Sequence, residues 1–467
     1  MTDISTQQYR RILLQCCSAT LLFSTLFSGY ATAQDDFFST IEVDTSARNR
    51  RTDMPFSLFG WVTQKVSHGF ESPGPLFSRS DKELNKIETS LFLQLDTDFG
   101  AESNFRISAK AYHDEIYRFN DDTRYSDDER NEFRNRFEIK DFYIERQYDN
   151  GFYLKIGKQM LAWGLAEYSR VTDLINTEDQ YTFGQQDLED IRLQVPAILA
   201  SYATAGWVFD RVVTYRAGSN DIAPDGDEFD QFITIRDSGL TLLRKDTKQD
   251  TEYFFRASTH FARGDFQLVL GEFNDNALTV DQISAVKSVS PRVTYRQNRM
   301  RALGIAANWV GGSWLYFGEL GMHLDQAVRP NSDAFFRQLN GWDQKDQLLS
   351  VLGIEYSGFR NLLLTFEIDS IHTRDHDAFM QADEDQISFG SRLYWTALNE
   401  RIQVLAVWKE LADNAGRVSR ISVDYNWSDS LDLGLMWVDY HSDDNSMFYE
   451  FRNNDVFQLQ FRYNFQI

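Results

Sequence analysis

From Lys86 onward the chain runs in short segments with a two-residue period. Ile87, Thr89, Leu91, Leu93 and Leu95 fall on one face of an extended segment, and Lys86, Glu88, Ser90, Gln94 and Asp96 on the other. A helix would scatter those leucines around its circumference, so the segment is a strand. The last residues repeat the pattern, with Phe457, Leu459, Phe461, Tyr463, Phe465 and Ile467 on one face and Gln458, Gln460, Arg462, Asn464 and Gln466 on the other.

Connections between these segments come in two lengths. Short turns are expected at Gly100-Ala101-Glu102, Asp149-Asn150-Gly151, Phe209-Asp210-Arg211, Arg263-Gly264-Asp265, Gly311-Gly312-Ser313, Ser357-Gly358-Phe359, Leu398-Asn399-Glu400 and Ser428-Asp429-Ser430. They alternate with long loops at roughly 69–80, 114–131, 161–194, 220–250, 275–299, 327–345, 375–385, 412–417 and 444–454. The count is about 18 strands, or 16 on a narrower count, and the even number puts both termini on the short-turn side. The fold class is therefore all-β: a transmembrane antiparallel up-and-down β-barrel with long outer loops and short inner turns.

A soluble sandwich would also alternate, and the aromatic residues decide between the two. Trp207 and Phe209, Phe261 and Phe266, Trp309 and Trp314, and Tyr148 and Phe152 bracket short turns, while Trp395 and Trp427 end strands at two more. Rings with an apolar body and a polar tip prefer a membrane interface, and a sandwich core would hold them at mid-strand. Mean hydropathy is −0.45. That value does not exclude a barrel, whose inward positions are polar. No run of about 18 apolar residues follows residue 33, so no spanning helix is expected.

The start of the chain reads as a cleaved secretion signal over residues 1–33. Arg10-Arg11 is followed by an apolar stretch from Ile12 to Tyr30 and by Ala31-Thr32-Ala33 before Gln34. Residues 34–55, with Arg48, Arg50 and Arg51, read as a periplasmic lead, and the barrel occupies 56–467. Both cysteines, Cys16 and Cys17, lie in the signal, which leaves no thiol for a disulfide or a metal site. The formal charge of −23 argues against a nucleic-acid partner.

With the apolar strand faces toward lipid, the other faces line the interior. There basic residues such as Lys86, Lys110, Lys140, Lys155, Arg256, Arg392, Lys409 and Arg420 roughly balance acidic ones such as Glu88, Glu319, Glu355, Glu367 and Asp369. The excess negative charge then falls in the loops. The Asp114 to Asn131 loop is one example, either a solvated surface or a binder of divalent cations that bridge lipopolysaccharide. A barrel of this size holds an aqueous channel unless something fills it.

The 161–194 loop is the natural filler, because a loop this long in a compact domain is uncommon unless it has a function. It carries Trp163, Glu167, Arg170, Asp173, Asn176, Glu178 and Asp179. Folded inward opposite a basic wall of Lys155, Arg256, Arg392 and Arg420, these residues would form a constriction or gate with a transverse field. The alternatives are an outward lid and a turn locked by Trp163-Gly164.

The strand and loop together carry Gly157-Lys158-Gln159, Trp163-Gly164 and Asp173 to Asn176. In these motifs the chain resembles porin-like outer-membrane barrels of the alginate-export-like kind, although Thr177 and Glu178 stand where related barrels often carry proline. The resemblance implies a bacterial outer-membrane channel for small polar or charged solutes. It equally implies the outer-membrane component of an export system for lipid-like or polymeric cargo, working with an inner-membrane exporter. A surface adhesin or structural barrel is a third reading.

Phe457 to Ile467 resembles the C-terminal signal read by the barrel-assembly machinery, and the other expected partners are outer-membrane lipid and lipopolysaccharide. No cofactor is expected. Neither G-x-S-x-G nor H-E-x-x-H is present, and His372 and His376 at a loop tip lack the supports a metal site needs, so the chain reads as a non-enzyme.

Overall fold

The computed structural model describes residues 56–79, 82–100, 102–120, 124–186, 188–237, 239–245, 250–284, 292–329, 343–412, 416–442 and 449–466. The expected signal at 1–33, the expected lead at 34–55 and Ile467 lie outside the described residues. Eighteen strands form the wall. They are β1 (Phe56–Gly69), β2 (Leu84–Asp98), β3 (Ser103–Asp114), β4 (Asn135–Gln147), β5 (Phe152–Gln159) and β6 (Val195–Thr204). Next come β7 (Trp207–Tyr215), β8 (Thr251–Phe261), β9 (Gly264–Ser284), β10 (Arg292–Gly311), β11 (Trp314–Val328) and β12 (Asp343–Phe359). The last six are β13 (Leu362–Thr373), β14 (Asp385–Ala397), β15 (Ile402–Leu411), β16 (Gly416–Ser428), β17 (Leu431–Ser442) and β18 (Val456–Gln466).

Each strand pairs antiparallel with its neighbours in sequence, and β1 closes the sheet on β18 from Phe59 opposite Gln466 to Gly69 opposite Val456. Closure leaves the wall no free edge where pairing is complete, which membrane-spanning sheets require because lipid offers backbone groups no partners. The two faces separate as the alternation demands. Leu91, Leu93, Phe366, Ile368, Ile421 and Leu435 are exposed on the outside, whereas Lys65, Ser90, Lys110, Glu319 and Arg392 are buried within. Trp207, Phe261, Trp309, Trp314, Phe359, Trp395 and Trp427 are all exposed close to short turns, forming one girdle of the membrane band.

Three expected boundaries are corrected. The turn expected at Phe209-Asp210-Arg211 lies instead at Ala205-Gly206, whose φ angles of 51° and 84° suit a tight hairpin. Asp210 sits inside β7, buried and paired with Arg256 at 2.7 Å. Ser357-Gly358-Phe359 remains in β12, and the reversal falls after it, where Asn361 takes a φ of 58°. Much of the loop expected at 275–299 is paired strand, because β9 runs to Ser284 and β10 starts at Arg292. β4 carries a β-bulge at Lys140 and Asp141: the pairs Ile107 with Phe142 and Ala109 with Ile139 enclose two residues on β4 against one on β3. Ser108 and Asp141 hydrogen-bond across it.

Candidate functional site

The segment from β5 into residues 160–194 explains its own motif residue by residue. Gly157 has a φ of 135°, and a Cβ there would lie 2.1 Å from the Phe142 carbonyl oxygen, so only glycine fits. The Lys158 ammonium donates to the Ile139 carbonyl at 2.7 Å. The wholly buried Gln159 amide donates to the Ala197 carbonyl at 3.0 Å.

Beyond β5 the loop is tied to itself. The Asn176 side-chain oxygen accepts from the Leu161 N–H at 2.9 Å, and its amide donates to the Leu193 carbonyl at 2.6 Å. The Asp173 carboxylate accepts from the Trp163 N–H at 3.4 Å and from Arg192 at 2.8 Å, with Arg170 at 3.6 Å. Gly164 leaves room for this, since a Cβ there would lie 2.9 Å from the Asp173 Cβ. Arg170 also donates to the Asn176 carbonyl at 2.6 Å and faces Glu178 at 3.2 Å. Burial alone would raise the Asp173 carboxyl, but the Arg170 and Arg192 guanidiniums outweigh it and hold the group below its ordinary range. Asp173 and Asn176 are therefore engaged inside the loop rather than facing the barrel interior.

The loop is also tied to the inner wall. Leu161, Trp163, Leu174 and Ile175 pack against Val195, Leu199, Val212, Phe254, Val269 and Met300 from β6 to β10. The Glu319 carboxylate of β11 accepts four hydrogen bonds: from the Leu165 and Ala166 N–H groups at 2.5 and 2.8 Å, and from the Thr172 N–H and hydroxyl at 2.9 and 2.6 Å. Glu367 of β13 accepts from the Glu167 and Tyr168 N–H groups at 2.9 and 3.2 Å. Arg392 of β14 pairs with Glu167, and Lys409 of β15 donates to the Tyr168 carbonyl.

Farther along, Arg420 of β16 donates to the Gln186 carbonyl and Tyr440 of β17 to the Phe183 carbonyl. Asp190 meets Lys110 of β3 at 2.5 Å and Lys140 of β4 at 3.2 Å. Contacts of residues 160–194 thus run from β3 and β4 to β17. A second segment leans on the first: Asp221–Ile222 pairs parallel with Asp179–Gln180, and Phe229 joins Val438, Tyr440 and Val456 in one apolar cluster.

Among the basic wall residues, Arg392 and Arg420 meet the loop as above. Arg256 lies over the Trp163 ring at 5.0 Å and pairs with Asp210 rather than with a loop carboxylate. Lys155 lies over the Tyr143 ring at 3.8 Å and 4.0 Å from Glu145, within the wall. Asp179 is 3.9 Å from Arg136, and burial, against that cation, raises its carboxyl. Glu167 keeps about a quarter of its side chain open. Desolvation outweighs Arg392, and with Glu367 and Glu355 nearby the carboxyl is pushed up to about 7. Among the described residues no group of three or more His, Cys, Asp or Glu is arranged to hold a metal ion.

In the sequence Glu319 and Glu367 stand out only as wall acids, and their role as the loop's anchors does not show there. Two signals could have found the seat. Isolated strand glycines often mark close approach of another backbone. A Cβ at Gly304 would meet Thr172 at 2.7 Å, at Gly321 Val171 at 2.8 Å, and at Gly390 Tyr168 at 2.3 Å. The second signal is β6, VPAILASYAT, which is largely apolar on both faces; such a strand has something covering each face.

The fold is similar to crystal structures of OccAB3 and OccAB1 of Acinetobacter baumannii and of OccK9 (OpdG) of Pseudomonas aeruginosa. OccAB3 is 8% identical with a TM-score of 0.53, covering 88% of this chain and 99% of its own. OccAB1 is 7% identical with a TM-score of 0.51, covering 88% and 96%. OccK9 is 10% identical with a TM-score of 0.50, covering 88% and 98%. At these identities the likeness is one of fold. No curated protein matches the chain. The alginate-export-like part of the sequence resemblance finds no support in these matches. The family that does match, over residues 77–465, is DUF1302, described as a protein of unknown function, and the chain belongs to it.

Proposed function

We propose that the protein is an outer-membrane channel for small polar or charged solutes, with the 160–194 loop as its constriction. The observation that carries this reading is the seating of the loop by inward carboxylates and cations of the wall, above all the four hydrogen bonds into Glu319. A loop held inside a barrel narrows the aqueous path and lines it with fixed charge, which is how pores select among solutes. Glu167 beside Arg392 is the pair that sets the local field, because it keeps partial access to the interior. Asp173, neutralised by two arginines, contributes to the shape of the loop rather than to its field.

Liposome swelling with the purified chain, run against sugars, amino acids and organic acids of increasing size, tests the reading. Swelling that falls with solute size supports a constricted aqueous channel. Swelling no faster than that of protein-free liposomes, for every solute, sinks it.

A further inference from the structure

The wall is low on one side. β5 has 8 residues, β6 10 and β7 9, against 13 in β4, 21 in β9 and 20 in β10. A membrane-crossing strand needs about 9–11 residues, a length that β6 and β7 just reach and β5 does not. β5 pairs with β4 only from Phe142 to Gln147, so residues 135–141 of β4 continue above the last β5 partner. That overhang remains in the apolar band: its outward residues Phe137 and Ile139 are 69% and 44% exposed.

At the top of β5 sits Lys158, which shares the outward face with Ile156 and faces Phe142 and Pro196 across the two neighbouring strands. A lysine on the lipid side of a barrel costs about 2–4 kcal/mol at mid-membrane, and an intramembrane charge marks a functional site by default. Its ammonium occupies the carbonyl of Ile139, a position a β5 residue would otherwise fill.

A cavity of about 400 Å³ lies at this place. It is lined by three consecutive β4 residues, Glu138, Ile139 and Lys140. Successive strand residues point to opposite faces. A cavity touching all three therefore borders the edge of β4 above its last β5 partner. Across it lie Pro196 and the loop residues Arg216, Ala217 and Asp221. Its charged lining residues are Lys140, Lys158, Arg216 and Arg244 with Glu138 and Asp221; Lys140 pairs with Glu138 and Asp190, and Arg216 lies 3.5 Å from Asp250.

We propose that this gap is a lateral portal through which single-chain amphipathic anions pass between the outer leaflet and the barrel interior. The apolar chain enters beside Ile139 and Pro196, and the anionic head is drawn to Lys158 and Arg216. The inference rests on the channel reading and adds to it a route and a substrate class.

The test uses the full chain in phosphatidylethanolamine–phosphatidylglycerol liposomes, with decanesulfonate and butanesulfonate as probes. Both stay charged, but only the longer one partitions into the bilayer. The chain's own cysteines are Cys16 and Cys17; with both replaced by serine, an Ile139→Cys variant can be loaded with a bulky thiol reagent at that position alone. Loading is expected to cut decanesulfonate flux about tenfold and to spare butanesulfonate. Lys158→Gln, by removing a steering charge, is expected to cut the same flux by a factor at the low end of the roughly 10–10³ range.

Loaded Ile198→Cys, on the outward face of β6 below the gap, is expected to change neither flux. Retention of the heat-modifiable folded band confirms that each variant is assembled. Unchanged decanesulfonate flux in loaded Ile139→Cys, or equal loss of both probes, overturns the portal and leaves the channel standing. Passage of neither probe by the unmodified protein overturns both.

Discussion

Replacing Glu319 with glutamine isolates the strongest anchor of the loop. In the native protein Oε1 serves the Leu165 and Ala166 N–H groups and Oε2 serves the Thr172 N–H and hydroxyl. Glutamine keeps the shape but offers one oxygen, and its NH₂ must point at donors. In the better orientation that NH₂ faces Thr172, whose hydroxyl turns to accept while its backbone N–H is orphaned. An orphaned buried donor costs about 1–3 kcal/mol. The two bonds that remain lose their charge assistance, which is about half their strength. Together the loss is about 3 kcal/mol, close to a hundredfold in the ratio of seated to released loop. Amide hydrogen exchange at Leu165, Ala166 and Thr172 reads that ratio directly. Protection at the three amides should fall about a hundredfold while mid-strand amides of β16 and β17 hold theirs. Unchanged protection at the three amides would refute the assignment of Glu319 as anchor.

Four further outcomes concern Glu167, Gly157 and Asp173. With the Glu167 carboxyl at about 7, protonation as pH falls from 8 to 6 removes a negative charge beside Arg392, so reversal potentials should shift toward anions with a midpoint near 7. Glu167→Gln should abolish the shift. Because that pKa lies above the ordinary 4.5, seating the loop becomes less favourable as pH rises between the two values, and heat stability of the seated form should decline over the same window. Gly157→Ala places a Cβ 2.1 Å from the Phe142 oxygen at a φ of 135°, a strain above about 1–3 kcal/mol, and should lower the temperature at which the folded gel band is lost. Asp173→Asn removes the carboxylate shared by Arg170 and Arg192, a charged hydrogen bond of about 1.5–3 kcal/mol, so trypsin should cut after those arginines faster than in the native protein; equal rates would contradict the lock.

The barrel was legible because its dominant force acts locally. Lipid on one face and polar contacts on the other impose a two-residue period that Lys86 to Asp96 displays without any tertiary information. Turns were legible where the residues themselves favour positive φ, as at Asp149-Asn150-Gly151. They were misplaced at Phe209-Asp210-Arg211, where Asp210 looks like a turn residue but is the buried partner of Arg256. The Trp163 to Asn176 stretch was legible as a unit, but the direction of its side chains was not. Asp173 reads as a channel charge until Arg192, 19 residues on, is seen beside it. The low wall at β5 was hidden for a similar reason, since strand height shows only in the register against β4.

Whether a seated loop constricts an aqueous channel is met most directly by single-channel recording in planar bilayers of the native chain beside a Glu319→Gln, Glu367→Gln double variant. Discrete small steps are expected for the native protein and larger, noisier steps for the variant, whose loop has lost acceptors on both β11 and β13. Identical steps in the two proteins would contradict the constriction, and the absence of steps in both would contradict the channel.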